Sequence, residues 1–120
     1  MRLTQRDEEG LAVLDVDPPA TGDYSRELFL PQIESVLAEG ERFILLNISR
    51  LRWINSTDIG LLVAAHRKVE ELGGRFLIVG PNRRIKELMR VVGMLKLWEV
   101  FESEDEARAA LEKTKREDGE

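Results

Sequence analysis

Four short polar side chains stand between an apolar run and a segment with helical periodicity: Asn55, Ser56, Thr57 and Asp58. Such residues are favoured at the start of a helix, where backbone N–H groups have no partner within the helix. A phosphate group binds well at a helix start, because the amide groups and the helix dipole both favour negative charge. Ser56 is therefore a candidate phosphorylation site, and the plainer alternative is that these residues only cap the helix.

The rest of the composition disfavours catalysis by the chain itself. It has no cysteine and one histidine, His66, which argues against thiolate chemistry, a multi-histidine metal site and a histidine-based triad. No Walker-type glycine loop and no nucleophile with an identifiable base is present in the sequence. We therefore expect a protein that is not an enzyme and that needs no cofactor or metal.

Charge and hydropathy argue against two classes of partner. The 120 residues include 18 basic and 23 acidic side chains, a net charge of -5, so the chain lacks the basic excess that drives binding to nucleic-acid phosphates. No run approaches the roughly 18 apolar residues of a membrane span, and the start of the chain shows no apolar signal segment. We expect a cytoplasmic protein without direct nucleic-acid binding or membrane insertion.

The strands that must position Ser56 are predicted from the apolar runs. Phe43–Ile48 is apolar almost without alternation, which is typical of a central strand covered on both faces. Residues 3–7 and 11–16 predict a hairpin near a sheet edge. Residues 76–79 predict another buried strand, and residues 97–101 predict a short strand or a packed loop. Because helices follow the later strands, those strands should run parallel.

Four helices are predicted from the apolar periodicity and the capping residues. They run from residue 25 to Gly40, from 57 to 72, from Asn82 to Gly93, and onward from a capping box at Ser103. Pro31 requires either that the first helix begins near Leu30 or that a longer helix bends there. The fold class is thus α/β, a single domain with a mixed sheet of four or five strands, an N-terminal hairpin and about four helices. We place the domain at residues 1–112 and a charged tail at 113–120.

The helical periodicity also predicts which side chains face the core. We expect His66 to be partly buried and hydrogen-bonded, and Gly60 to allow a close approach of neighbouring backbone, either for packing or for docking of a partner. The other inward residues of the first three helices are Leu28, Phe29, Ile33, Val36 and Leu37; Ile59, Leu62, Val63 and Val69; and Ile85, Leu88, Met89 and Val92.

A contact surface is predicted beside Ser56. Binding sites in such sheets lie at the carboxyl ends of the parallel strands, and the 49–55 loop leaves that edge. Trp53, flanked by Arg50 and Arg52, could form an aromatic and basic patch or simply cover the end of the sheet. Arg83 and Arg84 follow the next strand, either at the same edge or as a solvated helix start. The predicted partner-binding residues are Arg50, Arg52, Trp53, Asn55, Ser56, Thr57, Asp58, Arg83 and Arg84.

Four segments in order resemble one family. Ile54–Leu62 is similar to the signature of STAS domains, the fold of bacterial anti-sigma factor antagonists. Leu46–Ser49 resembles that family's strand ending in Asp-Leu-Ser, and Leu77–Pro81 its next strand and turn. Gly93–Phe101 resembles the segment before its last helix. Asn47 and Asn55 stand where the family usually has aspartate, and Asp58 where it usually has glycine.

The resemblance implies a partner-switching regulator. In such antagonists the serine that matches Ser56 is phosphorylated by a serine-kinase anti-sigma factor. The unphosphorylated form binds that kinase and frees the sigma factor, and a phosphatase resets the system. The three departures favour an alternative, a STAS scaffold in a stressosome-like or transporter-associated complex that binds partners without being phosphorylated. We expect Asp58 to pair with Asn55 in a capping-box-like arrangement.

Overall fold

The apolar runs pair as the five strands of one sheet in the computed structural model, which describes residues 2–8, 10–18 and 26–118. The strands are β1 (Arg2–Glu8), β2 (Leu11–Asp17), β3 (Phe43–Asn47), β4 (Arg75–Val79) and β5 (Glu99–Phe101). The helices are α1 (Arg26–Ala38), α2 (Ser56–Glu71), α3 (Arg83–Val91) and α4 (Glu104–Asp118), with a 3₁₀ turn at Met94–Lys96. The predicted α/β domain with an N-terminal hairpin is confirmed.

The strands lie in the sheet in the same order as in the chain. β1 runs antiparallel to β2, and β2, β3, β4 and β5 are parallel neighbours. β3 is the central strand, with Leu46 between Leu14 of β2 and Ile78 of β4. The carboxyl ends of the four parallel strands therefore meet at one edge, and the loop to α2 leaves from it.

Alternate residues of the central strand bury against different helices. Ile44 and Leu46 join the larger apolar cluster, which contains residues of α1, α2 and α3. Leu45 points the other way, into a smaller cluster that includes Ala107 and Leu111 of α4. Burial on both faces explains why β3 shows almost no apolar and polar alternation in the sequence.

Two predicted inward residues are exposed. Leu28, in the first turn of α1, is 54% exposed, and Val92 is 42% exposed. Val92 is the C-cap residue of α3, and its N–H still donates to the Leu88 carbonyl at 3.0 Å, so it continues the helix at an end that the core does not cover. α1 begins at Arg26 and contains Pro31, so the longer of the two predicted helices is correct. The turn-like sequence at residues 21–24 lies outside the described residues.

Gly60 does not serve the packing role predicted for it. Among the described residues outside its own stretch of helix, no atom lies within 4 Å of a Cβ atom placed on Gly60, so no other described backbone approaches it closely. Ile59 and Leu88 pack only partly against the core. His66 follows the prediction: its side chain is 17% exposed, and its Nε2 atom lies 2.9 Å from the Glu70 carboxylate.

A polar cluster fastens the start of α4 to the carboxyl edge of the sheet. Arg6 donates from Nε and Nη2 to Asp15 at 2.6 and 3.0 Å, and from Nη2 to Glu104 at 2.7 Å. Asn47 donates from Nδ2 to the same Glu104 oxygen at 2.7 Å, and its Oδ1 accepts the Ser49 N–H at 2.9 Å. Asn47 thus joins the α4 anchor to the first residue of the loop that leads to Ser56.

The amide of Asn47 allows two carboxylates to share this cluster. Burial by itself would raise the pKa of Glu104, but the hydrogen bonds from Asn47 and Arg6 outweigh it and hold that pKa below its ordinary value. An aspartate at position 47 would offer no donor and would add a third negative charge. The asparagine at this departure from the family pattern is therefore explained by its neighbours.

The last helix extends past the predicted domain boundary. α4 continues through Asp118, and the division at residue 112 stays a prediction. Ser103 Oγ accepts the Glu106 N–H at 3.2 Å, as predicted for a cap, whereas the Glu106 carboxylate accepts the Glu102 N–H at 3.1 Å. In the part of the chain that the structure describes, no helix is both long and apolar enough to cross a membrane.

We expect Leu62→Ala to lower the free energy of unfolding by about 2 to 5 kcal/mol, because Leu62 is 2% exposed within the larger apolar cluster. Leu72→Ala is the matched control: it lies just after the same helix, is 50% exposed, and should change stability by no more than about 0.5 kcal/mol. Urea unfolding of both variants makes the comparison. Equal costs would contradict the described packing of α2.

We expect Asn47→Asp to destabilise the protein by about 1 to 3 kcal/mol at pH 7, since a donor to Glu104 is replaced by a like charge. The change should raise the folded-state pKa values of Glu104 and of the aspartate introduced at position 47. The repulsion between these carboxylates therefore lowers the free energy of unfolding most at a pH well above the ordinary carboxyl pKa. The loss of stability becomes smaller as the pH falls and one of the two groups binds a proton. Chemical unfolding at pH 7 and pH 4 measures this trend. Asn47→Ala, which adds no charge, should show a weaker pH dependence.

Candidate functional site

The loop between β3 and α2 is fixed to the sheet edge by its own backbone and apolar side chains. The Ile48 N–H donates to the Val79 carbonyl at 2.9 Å, and the Leu51 N–H donates to the Ile48 carbonyl at 3.0 Å. Leu51 and Ile54 are 5% and 1% exposed. These contacts fix the position of the loop and of the polar residues at the start of α2 that follow it.

Gly80 allows this loop to lie against the end of β4. Its φ angle is +77°, and a Cβ atom there would be 2.7 Å from the Ser49 Cβ atom. Its N–H donates to the Phe101 carbonyl at 2.9 Å. A larger residue would be strained in this conformation and would push against the start of the loop.

The start of α2 is closed by the predicted capping box. Asn55 has extended φ and ψ angles of -107° and -178°. Its Oδ1 accepts the Asp58 N–H at 2.9 Å, while Asp58 Oδ2 accepts the Asn55 N–H at 3.0 Å. Asp58 is 4% exposed. Its carboxylate is therefore directed inward, toward the backbone of the N-cap residue, rather than toward solvent.

Ser56 and Thr57 are the exposed residues of this first turn. They occupy the first two helical positions, whose N–H groups cannot bond within the helix. Among the described residues, neither N–H group has a hydrogen-bond partner. The hydroxyl of Ser56 is thus accessible beside two amide groups that can receive an anion.

A pocket of about 340 Å³ opens beside Ser56, between the loop and α3. Trp53 is 55% exposed, and the guanidinium carbon of Arg84 lies 5.7 Å from the centroid of its ring. This is a cation–π distance. The pocket therefore combines an apolar interior with a serine and an arginine among the residues that line it: Trp53, Ile54, Asn55, Ser56, Arg84, Ile85 and Leu88.

Asn82 joins the two walls of this pocket. Its Oδ1 accepts the Ile85 N–H at 2.8 Å and so caps α3, as predicted. Its Nδ2 also donates to the Arg52 carbonyl at 2.7 Å, a contact that sequence reasoning missed. A capping asparagine predicts only the local bond, because its second partner is 30 residues away in the chain.

The predicted arginines separate into two groups. Arg84 reaches Trp53, and Arg52 and Arg83 are exposed near the same loop and helix start. Arg50 is placed differently: its Nη1 lies 2.6 Å from Asp17. It lines a separate polar pocket with Arg6, Asp15, Asn47, Ser49 and Glu104.

The surroundings of Ser56 and His66 bear on the chemistry available at this site. No described side chain makes a hydrogen bond to the Ser56 hydroxyl that could activate it as a nucleophile. His66 lies on the side of α2 that meets Phe76, with their ring centroids 6.2 Å apart. Among the described residues, no three His, Cys, Asp or Glu side chains are grouped to hold a metal ion.

Two protein relatives are named as anti-sigma factor antagonists. A Thermotoga neapolitana protein named as an anti-sigma factor antagonist is 27% identical over 74 residues, which cover 62% of this chain and 66% of that protein. The match thus spans slightly less than two thirds of the relative. The Bordetella bronchiseptica protein BtrV, also named as an anti-sigma factor antagonist, is 25% identical over 83 residues, covering 66% of this chain and 72% of BtrV.

Solved structures share the fold at low identity. A variant of Moorella thermoacetica RsbS superposes with a TM-score of 0.82 at 16% identity, covering 97% of this chain and 99% of RsbS. The phosphorylated form of the Bacillus cell fate determinant SpoIIAA gives a TM-score of 0.70 at 19% identity, covering 92% of this chain and 99% of SpoIIAA. The STAS domain family model matches residues 10–107. The chain therefore belongs to the STAS domain family.

Proposed function

We propose that this protein is an anti-sigma factor antagonist that acts by partner switching in the cytoplasm. It binds a serine-kinase anti-sigma factor through the surface around Ser56, and phosphorylation of Ser56 ends that binding. A phosphatase restores the unmodified form. The names of the relatives support the class of regulator, and a SpoIIAA structure in a phosphorylated form provides a precedent for modification within this fold.

One observation carries the assignment of the serine. Ser56 is exposed at the first position of α2, directly after a loop fixed to the sheet, and its own N–H and that of Thr57 have no described partner. A kinase can therefore reach the hydroxyl without unfolding the loop, and a phosphate attached there meets unpaired amide groups. The capping box fixes the direction of this first turn.

The modification requires ATP and the kinase, while this chain supplies the accepting hydroxyl. The Ser56 oxygen forms a bond to the γ-phosphorus of ATP, the bond between that phosphorus and the bridging oxygen breaks, and ADP leaves. The hydroxyl proton passes to a base of the kinase. In the hydrolysis by the phosphatase, a water oxygen bonds to the phosphorus and the bond from the phosphorus to the Ser56 oxygen breaks. Inorganic phosphate leaves, and the Ser56 oxygen takes up a proton.

The charge of the phosphate explains how the modification would act. It adds about -1.5 to -2 charges at pH 7, next to the pocket between Trp53 and Leu88. A surface that accepts a partner in the neutral state would then present a strong negative charge at its rim. Partner carboxylates near the pocket would be repelled.

A second function, a scaffold that binds partners without phosphorylation, is favoured by the buried carboxylate of Asp58. That residue is 4% exposed and lies two positions after Ser56. A permanent negative charge within the first turn already satisfies part of the helix dipole and repels a phosphate. Under this alternative the same surface holds a neighbouring subunit of a stressosome-like or transporter-associated complex.

We expect Ser56→Ala to abolish phosphoryl incorporation by a cognate serine-kinase anti-sigma factor and to leave binding to it intact. Ser56→Asp should weaken that binding, because a carboxylate partly imitates the phosphate charge. Thr57→Ala is the control, since it removes the adjacent exposed hydroxyl and should leave incorporation unchanged. Intact mass after incubation with kinase and ATP measures the number of phosphoryl groups. Incorporation that persists in Ser56→Ala refutes the site, and none in the natural protein favours the scaffold.

We expect Asp58→Asn to raise the rate of phosphoryl incorporation by roughly two- to fivefold, the range that corresponds to a dipole-scale repulsion of about 0.3 to 1 kcal/mol. The substitution removes the charge and keeps an oxygen that can accept the Asn55 N–H. Asp58→Gly should also raise the rate but lower the free energy of unfolding by about 1 to 2 kcal/mol, because the reciprocal bond is lost and glycine disfavours the helix. Equal rates for the natural protein and Asp58→Asn would show that the carboxylate does not oppose phosphorylation.

A further inference from the structure

An apolar stripe continues from the candidate site along the outer surface of α3. Leu88 lines the pocket beside Ser56. Val91 is 67% exposed, and Val92 is 42% exposed. Residues three and four positions apart are neighbours on a helix surface, so these two valines extend the apolar surface by one turn. We call Leu88, Val91 and Val92 the α3 stripe.

The α3 stripe and the pocket together have the length of a short helical contact. From Arg84 at the pocket to Val92, eight residues at about 1.5 Å per residue span roughly 12 Å. A pocket of about 340 Å³ at one end can hold a large apolar side chain. A partner helix with apolar residues on one face fits this arrangement of one pocket followed by exposed apolar side chains.

Three arginines belong to the 49–55 loop and the start of α3, close to the pocket. Arg52, Arg83 and Arg84 form no ion pair with a carboxylate among the described residues, although the whole chain has a net charge of -5. Other arginines do form such pairs: Arg6, Arg50, Arg90 and Arg108. A partner surface that supplies carboxylates would complement the first three arginines.

We propose that the α3 stripe and the pocket dock an amphipathic helix of the partner protein, with acidic residues flanking its apolar face. This inference rests on the proposed function and specifies the chemistry of the partner. One large apolar side chain of that helix enters the pocket, and its carboxylates meet Arg83 and Arg84. A phosphate on Ser56 would lie at the same rim and would repel those carboxylates, which gives the switch a physical basis.

A second copy of this chain fits the surface less well. A two-fold interface brings the same patch of each protomer together. Near its axis, Arg83 and Arg84 would face the same arginines of the other copy, and the like charges would repel. The basic rim therefore favours a partner with acidic residues over self-association.

The test uses each purified serine-kinase anti-sigma factor of the source organism, titrated with the full chain in a calorimeter. We expect Val91→Ser to weaken binding about five- to tenfold, because the complex would lose part of the apolar surface that a valine buries against the partner. Arg84→Glu should weaken binding at least about tenfold at low salt and less at high salt. Two controls should bind as the natural protein does. Leu72→Ser removes a 50% exposed apolar side chain after α2, and Lys113→Glu reverses an exposed charge on α4.

The outcomes separate this inference from the proposed function. Binding by the natural protein that neither Val91→Ser nor Arg84→Glu weakens overturns the helix-docking surface alone. A failure of every such anti-sigma factor to bind the natural protein overturns the proposed function and this inference with it. Sedimentation of the chain without a partner tests whether a second copy occupies the stripe instead. A dimer that Val91→Ser dissociates would assign the stripe to a second copy and overturn the helix-docking surface.

Discussion

The reciprocal hydrogen bonds between Asn55 and Asp58 are the constraint on which the candidate site depends. They satisfy two backbone N–H groups that the start of α2 would otherwise leave unpaired. They also fix the direction in which the chain enters the helix, and this direction leaves Ser56 and Thr57 on the outside. An exposed serine beside unpaired amide groups is thus a consequence of how the N-terminus of α2 is capped.

A second set of contacts holds this helix start next to α3. Asn82 caps α3 with its oxygen and holds the loop before α2 through its amide group. Gly80 permits the close contact with Ser49 at the end of the adjacent strand. Because each contact joins segments that follow neighbouring parallel strands, the shape of the pocket depends on the sheet register as well as on the loop sequence.

The departures from the family pattern have distinct physical settings. Asn47 donates to Glu104 in a cluster that already contains Asp15 and Arg6, where another carboxylate would be repelled. Asp58 carries its charge into the first turn of α2, where the helix dipole and the Asn55 N–H stabilise it. Negative charge is thus avoided at the end of β3 and placed inside the helix start, two residues from the serine proposed as the phosphoacceptor.

The sequence by itself determined four strands, the presence of four helices and the cap of α2, because apolar periodicity and capping are local properties of the chain. It left open whether residues 97–101 form a strand and where the first helix begins. It could not determine which ends of those helices extend beyond the core, so Val92 was predicted inward and is exposed. Nor could it assign the second partner of Asn82, the pairing of Arg50 with Asp17, or the open space beside Gly60. These depend on segments far apart in the chain, and only the packing of the sheet and helices brings them together or keeps them apart.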